Sequence, residues 1–252
     1  MPFARIARWA RIRTPLFGYR EELAQEFNEL DPDWVQWFAA YHHFHIDTQT
    51  KGLGGRLNRA GYRIVTRFNF ASKMVLEIGP GTLPHRSLWQ GTPKNYISVE
   101  VDPKFHSYAE RISACDFTAL TRGRNDPTLA VPDGSVDYIL TFYSLEHLRD
   151  LDEHLIEFSR VLKPGGRVIG AVPNEGGLAW GLGRFLVTRR WVKRNYGIDY
   201  DKIIAWEHPN YVDAIRQGLS KHFDEEIWDQ RPFGLVRNLN LNLISRFSFI
   251  KN

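Results

Sequence analysis

The chain has 252 residues, of which 43% are hydrophobic and 25% charged, so it is long enough to bury one sizeable core. Its formal net charge of +4 is too small over this length to indicate nucleic-acid binding without a local basic patch. The single cysteine, Cys115, excludes an internal disulfide and a cysteine-rich metal site. We therefore expect a globular, cytoplasmic protein with no nucleic-acid partner.

Residues 1–72 have the pattern of an N-terminal helical extension. Apolar and aromatic residues recur at helical spacing over residues 21–45, and again over 56–68 after a group of glycines. At the start of the chain, arginines interrupt every apolar run, so no signal peptide is predicted. This basic segment, which includes Trp9, either packs on its own domain or makes peripheral contact with a membrane surface.

Residues 73–252 form the second predicted unit, in which short β-rich runs alternate with helical stretches. This alternation is typical of parallel βαβ units. The predicted strands are residues 74–78, 96–101, 111–115, 136–142 and 167–172. Residues 225–228 and 239–249 flank Pro232 and Gly234 and predict an antiparallel edge hairpin. The expected fold class is α/β, a doubly wound and mostly parallel sheet with an antiparallel C-terminal hairpin.

The strongest local signal is a hydrophobic strand that enters a glycine turn, Val75-Leu76-Glu77-Ile78-Gly79-Pro80-Gly81. Glycine lets a ligand approach the backbone closely, and the amides of the helix expected after the turn favour a carboxylate or phosphate. Dinucleotide oxidoreductases require a third glycine where this chain has Pro84. The turn therefore predicts a nucleotide-like ligand and argues against a dehydrogenase.

With these residues the chain resembles the class I S-adenosylmethionine-dependent methyltransferases. Their first motif, acidic-x-Gly-x-Gly, is matched by Glu77, Gly79 and Gly81. Residues 132–137 and 162–166 resemble the family's entries into strands four and five, so the resemblance covers residues 74–174. It implies a Rossmann-like fold, S-adenosylmethionine as cofactor and a methyl-transfer reaction.

The resemblance also implies which residues hold the cofactor. Glu100, at the end of the second strand, corresponds to the acid that grips the ribose hydroxyls, and it is preferred to Asp102, which lies beyond the strand end. Asp116 and Phe117 are expected after the third strand, beside the adenine ring. The predicted cofactor-binding residues are Glu77, Gly79, Pro80, Gly81, Glu100, Asp116, Phe117 and Phe142.

His147 is the candidate general base, because it follows the fourth strand at the carboxyl edge of the sheet, where α/β proteins bind ligands. The alternative is that Glu146 and His147 only begin the next helix and orient its loop. Some relatives hold Mg²⁺ through a Glu-x-x-Glu-His motif. Tyr143 replaces the first glutamate of that motif here, so no metal is predicted.

Residues 175–213 are too long for a simple connection and are predicted to form a substrate-side insertion. Within it, residues 184–194 carry five basic residues and no acid: Arg184, Arg189, Arg190, Lys193 and Arg194. Arg189, Arg190 and His208 are the candidate acceptor-binding residues, and the basic run either binds an anionic acceptor or is a solvated helix face. The expected acceptor is a small molecule or a glycan or lipid precursor, methylated at oxygen. Methylation at nitrogen or carbon, and cofactor binding without catalysis, are the alternatives.

Overall fold

The computed structural model of the chain describes residues 27–40, 52–236 and 238–252, and in these ranges seven strands form one sheet. The strands are β1 Met74–Ile78, β2 Asn95–Glu100, β3 Asp116–Thr121, β4 Val136–Phe142, β5 Leu162–Pro173, β6 Asp224–Arg231 and β7 Ile244–Ile250. Their order across the sheet is β3-β2-β1-β4-β5-β7-β6. Strands β1 to β5 pair in parallel, and β7 lies antiparallel between β5 and β6. The predicted α/β class is confirmed, although only β6 of the C-terminal pair is an edge strand.

Helices connect the strands and extend the domain beyond the carboxyl edge of the sheet. They are α1 (residues 32–40), α2 Gly52–Tyr62, α3 His106–Ser113, α4 Leu151–Val161, α5 Leu178–Gly183, α6 Arg189–Tyr196, α7 Tyr200–Glu207 and α8 Val212–His222. A π-helical turn, Arg184–Thr188, joins α5 to α6. None of the helices in the described part of the chain is long and apolar enough to cross a membrane.

The sheet separates two core layers because successive side chains of a strand point to opposite faces. In β1, Leu76 points to the layer formed with α4 and α8, whereas Val75 points to the layer formed with α2 and the 3-10 turn that follows it. Tyr62, Ile64 and Phe70 are buried in this second layer. Residues 62–70 of the predicted extension therefore contribute directly to the core of the sheet.

Helix α1 belongs to a different cluster, outside the two layers. Its Trp34 and Trp37 pack with Ile203 and Trp206 of α7 and with Val192 of α6. The helix predicted over residues 21–45 is wrong at residues 27–31, which form a loop and turn before α1. Residues 21–26 and 41–45 and the basic N-terminal segment lie outside the described residues. The helix predicted over 56–68 begins earlier, at Gly52, and ends as a 3-10 turn, Arg63–Arg67.

Two predictions between β1 and β3 are wrong. Residues 111–113, predicted to begin the third strand, are the end of α3, which is terminated by Ala114 in the left-handed conformation at φ 56°. The third strand begins only at Asp116. No α-helix follows β1, since Leu83 has φ 51° and Pro84 comes next; a 3-10 turn, Arg86–Leu88, takes its place.

Close packing of β5 gives a test of the sheet. A Cβ atom at Gly170 would clash with the carbonyl oxygen of Thr141 in β4 and with the ring of Phe247 in β7. We expect Gly170→Ala to lower the free energy of unfolding by about 2–3 kcal/mol, because neighbouring strands must move. In the control Gly183→Ala, nothing lies within 4 Å of the added atom, so stability should hold or rise. Equal stability of the two variants in urea unfolding would contradict this packing.

Candidate functional site

One cleft opens where β1, β2 and β4 end, at the carboxyl edge of the sheet. Gly79 and Gly81 line it after β1, Glu100 at the end of β2, and Phe142 and Ser144 at the end of β4. These are the strand ends where open α/β sheets bind their ligands. Four of the eight predicted cofactor-binding residues, Gly79, Gly81, Glu100 and Phe142, therefore meet in one place.

The glycine turn after β1 is closed by the loop after β4. Gly79 and Gly81 have φ values of 64° and 56°, a region that residues with a Cβ atom rarely adopt. Ser144 Oγ donates a hydrogen bond to the carbonyl oxygen of Ile78 at 2.8 Å, and a Cβ atom on Gly79 would lie 3.0 Å from that hydroxyl. Pro80 is buried between the two glycines. The turn thus presents bare backbone to the cleft and has protein packed against it.

Glu100 is bound to this turn. Its Oε1 accepts a hydrogen bond from the Gly81 amide at 2.7 Å, and the residue is only 8% exposed. Burial raises the pKa of Glu100 to about 8; the Gly81 amide opposes this shift, while the charges of Glu77 and Asp102 add to it. A ligand that donates hydrogen bonds to this carboxylate would favour its ionised form.

Asp102 also lines the cleft but has a local role. Its carboxylate accepts a hydrogen bond from the Lys104 amide at 3.0 Å and caps the 3-10 turn Pro103–Phe105. As expected from the sequence, it lies two residues beyond the end of β2 at Glu100.

Glu77 does not reach the cleft. It is 1% exposed and faces the core layer that contains Val75, because the strand alternates. Its Oε2 accepts a hydrogen bond from the Tyr96 hydroxyl at 2.7 Å, and its Oε1 bonds to His85 Nε2 at 2.7 Å. Trp89 Nε1 donates to His85 Nδ1 at 2.9 Å, which makes Nε2 the donor to Glu77. The acid of the first motif therefore forms hydrogen bonds within the core, to His85 and Tyr96, and does not line the cleft.

Asp116 and Phe117 lie at the opposite edge of the sheet. They are the first two residues of β3 and pair with Asn95 and Tyr96, the first two residues of β2. Their prediction as residues that follow the third strand is wrong, because that strand was placed about five residues too early. Arg122 and Arg124, which follow β3, line the cleft instead, and the sequence analysis missed them for the same reason.

His147 lies in the cleft, in the 3-10 turn Leu145–His147 that follows β4. Its Nδ1 donates a hydrogen bond to the carbonyl oxygen of Glu207 at 3.0 Å, so in the neutral ring the lone pair is on Nε2. The ring of His208 packs edge-on against it, with the centroids 4.4 Å apart. His208 is not among the residues that line the cleft. It packs against His147 on the side away from the cleft.

Three buried glutamates, Glu146, Glu175 and Glu207, surround these histidines. Burial alone would lower the pKa of His208, but the charge of Glu175 and its hydrogen bond at 2.6 Å, with Glu146 and Glu207, raise it. Burial raises the pKa of Glu146 to about 7, although His208 opposes that shift. Glu146 Oε2 is buried without a hydrogen-bond partner among the described residues. In the same part of the chain, no group of three His, Cys, Asp or Glu side chains has a metal-binding arrangement.

The basic run of the insertion does not line the cleft. Arg184 and Arg189 both bind Asp201 of α7, each at 2.9 Å, and the Arg184 pair is buried. Arg190 is exposed on the outside of α6. Within the insertion it is Glu207 that reaches the cleft, and its Oε1 accepts a hydrogen bond from Trp37 of α1 at 2.9 Å.

Comparison with known proteins agrees with this geometry. Residues 76–170 match the family described as methyltransferase domain. Over 106 residues the chain is 42% identical to a Mycolicibacterium smegmatis protein named as a probable S-adenosylmethionine-dependent methyltransferase, covering 42% of this chain and 40% of that protein. Over 99 residues it is 29% identical to a Tropheryma whipplei demethylmenaquinone methyltransferase, covering 39% of this chain and 41% of that protein.

Solved structures share the fold. An S-adenosylmethionine-dependent methyltransferase from Thermotoga maritima superposes with a TM-score of 0.56 at 14% identity, covering 87% of this chain and 100% of that one. One from Mesorhizobium loti gives a TM-score of 0.53 at 15% identity, covering 75% and 95%. Residues 76–170 belong to a methyltransferase domain, and the sheet has the fold of S-adenosylmethionine-dependent methyltransferases. The matched segment spans about two fifths of the length of the curated relatives.

S-adenosylmethionine is the methyl donor of this family, and the cleft of the methyltransferase domain fits it in three respects. Gly79 and Gly81 line the cleft with positive φ values and no side chain, so bare backbone faces a ligand there. Glu100 presents a buried carboxylate suited to two ribose hydroxyls. Val99 and Phe142 add apolar surface for the base and the sugar. The residues that would hold the cofactor are therefore those after β1, β2 and β4, without Glu77, Asp116 or Phe117.

Glu100 and Asp102 give a paired test of this site. We expect Glu100→Ala to weaken binding of S-adenosylhomocysteine by about 2–3 kcal/mol, because charge-assisted hydrogen bonds to the ribose are lost. Asp102→Ala should change affinity little, since its carboxylate is used by Lys104. Titration calorimetry measures both. A larger loss for Asp102→Ala than for Glu100→Ala would show that the assignment of the ribose acid is wrong.

Proposed function

We propose that this protein transfers the methyl group of S-adenosylmethionine to an oxygen atom of a small-molecule acceptor, with His147 as the general base. The observation that carries the proposal is the hydrogen bond from His147 Nδ1 to the Glu207 carbonyl, beside the same cleft as Glu100 and the glycine turn. It makes Nε2 the basic nitrogen of a ring held in one orientation.

The bound cofactor supplies a methyl group that its sulfonium charge already makes electrophilic. The protein then has to hold the acceptor near attack distance and remove its proton. His147 Nε2 would accept the proton from the acceptor hydroxyl as the new carbon–oxygen bond forms and the methyl–sulfur bond breaks, with S-adenosylhomocysteine as the leaving group. The Glu207 carbonyl stabilises the resulting imidazolium through Nδ1–H, and His208, bound to Glu175, keeps the ring in place.

The sequence left the charge of the acceptor open, and two cations in the cleft favour an anionic small molecule. Arg122 and Arg124 line the cleft, whereas Arg189 is bound to Asp201 and Arg190 lies outside. A relative named demethylmenaquinone methyltransferase also favours a small molecule over a macromolecule. Methylation at nitrogen or carbon uses the same cofactor geometry and is the second candidate.

The direct experiment is methyl transfer from labelled S-adenosylmethionine to a panel of hydroxylated small molecules, each with and without a phosphate or carboxylate group. Label in an ether or ester of an anionic member supports the proposal. Label only in amines or on carbon contradicts oxygen as the acceptor atom. Cofactor binding with no transfer to any member would favour the non-catalytic alternative.

His147→Ala separates catalysis from cofactor binding. We expect its turnover to fall by about 100-fold or more, with cofactor affinity nearly unchanged and partial recovery on addition of imidazole. His222→Ala is the control, because His222 bonds to Asp152 away from the cleft. Unchanged turnover in His147→Ala would leave His147 with only the loop-orienting role.

A further inference from the structure

Two exposed apolar segments lie at the carboxyl edge of the sheet. In α5 and the π-helical turn, which follow β5, the exposed large apolar residues are Leu182 (46%), Leu186 (49%) and Val187 (67%). In the loop between β6 and β7 they are Phe233, Leu235, Val236 and Leu241, and Leu235 is 102% exposed. Exposed apolar side chains grouped in this way are typical of an interaction surface.

Hydrogen bonds join the two segments. The Ala179 amide donates to the carbonyl oxygen of Asn240 at 3.0 Å, and the Leu178 amide donates to its side-chain Oδ1 at 3.2 Å. Both segments leave the sheet where Pro173, the last residue of β5, pairs with Ile244, the first residue of β7. The seven exposed side chains therefore belong to two adjoining elements, which we call the apolar face.

Positive charge follows directly along the same helical segment. Arg190, Lys193 and Arg194 of α6 are exposed and form no ion pair within the described ranges. Residues 178–196 contain no acid, and Asp201 neutralises only Arg184 and Arg189, nearer the core. Arg190, Lys193 and Arg194 are spaced by three and four residues from Arg190 within α6, so they lie on one side of that helix.

We propose that the apolar face and the three cations of α6 dock on the surface of a bilayer that contains anionic lipids. Apolar side chains would enter the interface, while Arg190, Lys193 and Arg194 would meet the headgroups, the combination that gives peripheral binding. Because residues 178–196 contain no acid, the segment is positively charged and complementary to anionic headgroups. Because the face leaves the sheet at the edge where the cleft opens, a docked molecule holds that edge towards the bilayer. The surface is independent of the proposed reaction.

Sedimentation of the full chain with lipid vesicles tests whether the three cations of α6 contribute to binding. We expect binding to phosphatidylcholine vesicles with about 30% phosphatidylglycerol, and weak binding to phosphatidylcholine alone. The triple variant Arg190→Gln, Lys193→Gln, Arg194→Gln should lower the partition constant by about 100-fold, since each headgroup contact is worth about fivefold. A control removes the same charge around β2 and α3, at the opposite end of the strand order from β6 and β7, with Lys94→Gln, Lys104→Gln and Arg111→Gln, and should lose much less.

A second pair of variants tests whether the side chains of the apolar face contribute to vesicle binding. Leu186→Glu combined with Leu235→Glu should abolish sedimentation with anionic vesicles, whereas Ile156→Glu, at a 53% exposed position on α4, should not. The proposal is overturned if the wild-type chain does not bind anionic vesicles, or if the two triple variants lose binding equally. The proposal is also overturned if the double variant still binds vesicles. If that variant still binds vesicles but converts a dimer of the chain to monomers, the apolar face is covered by a second copy and not by a bilayer.

Discussion

The site depends on the hydrogen bond between the Gly81 amide and the Glu100 carboxylate. It connects the turn after β1 to the end of β2 and holds a carboxylate in a place that is nearly closed to water. Such a group is stable only if donors compensate for its lost hydration. The protein supplies the backbone amides of Gly81 and Val101 as donors, and the raised pKa of Glu100 indicates that this is less than full compensation. The cleft is thereby prepared for a ligand with hydroxyl donors.

The side of the cleft that holds His147 is assembled from more distant parts of the chain. Trp37 of α1 donates to the Glu207 side chain of α7, and the Glu207 carbonyl accepts from His147 after β4. One residue of the insertion thus connects an N-terminal helix to the candidate base. The length of the insertion is explained by the helices needed to position Glu207 and to pair Arg184 with Asp201.

The sequence predicted the strands that are buried on both faces, because continuous apolar runs such as 168–172 are typical of central strands. It failed at β3, an edge strand with exposed and half-buried residues, Asp116–Thr121, whose apolar signal is weak. The error moved Asp116 and Phe117 to the wrong edge of the sheet and hid Arg122. Motif spacing placed Glu77 correctly in β1, but only the strand alternation shows that its side chain turns into the core.

Contacts between residues that are far apart in the sequence could not be predicted from it either. Arg189 and its acid Asp201 lie on different helices, so the basic run appeared unpaired in the sequence. The edge-on packing of His208 against His147 likewise joins residues that are about 60 positions apart, and no local pattern marks it. The sequence was therefore informative about the ligand class and less so about which charges face the ligand.

The central claim, that Glu100 binds the ribose as a carboxylate, is tested most directly by the pH dependence of S-adenosylhomocysteine affinity. In the free protein the pKa of Glu100 is raised to about 8, and hydroxyl donors favour its ionised form. Affinity should therefore rise with pH, by up to about tenfold per unit, until the pH passes the pKa of the free protein, and then level off. In the Glu100→Gln variant, this rise of affinity with pH should be absent. An affinity independent of pH, or the same dependence in Glu100→Gln, would contradict the account.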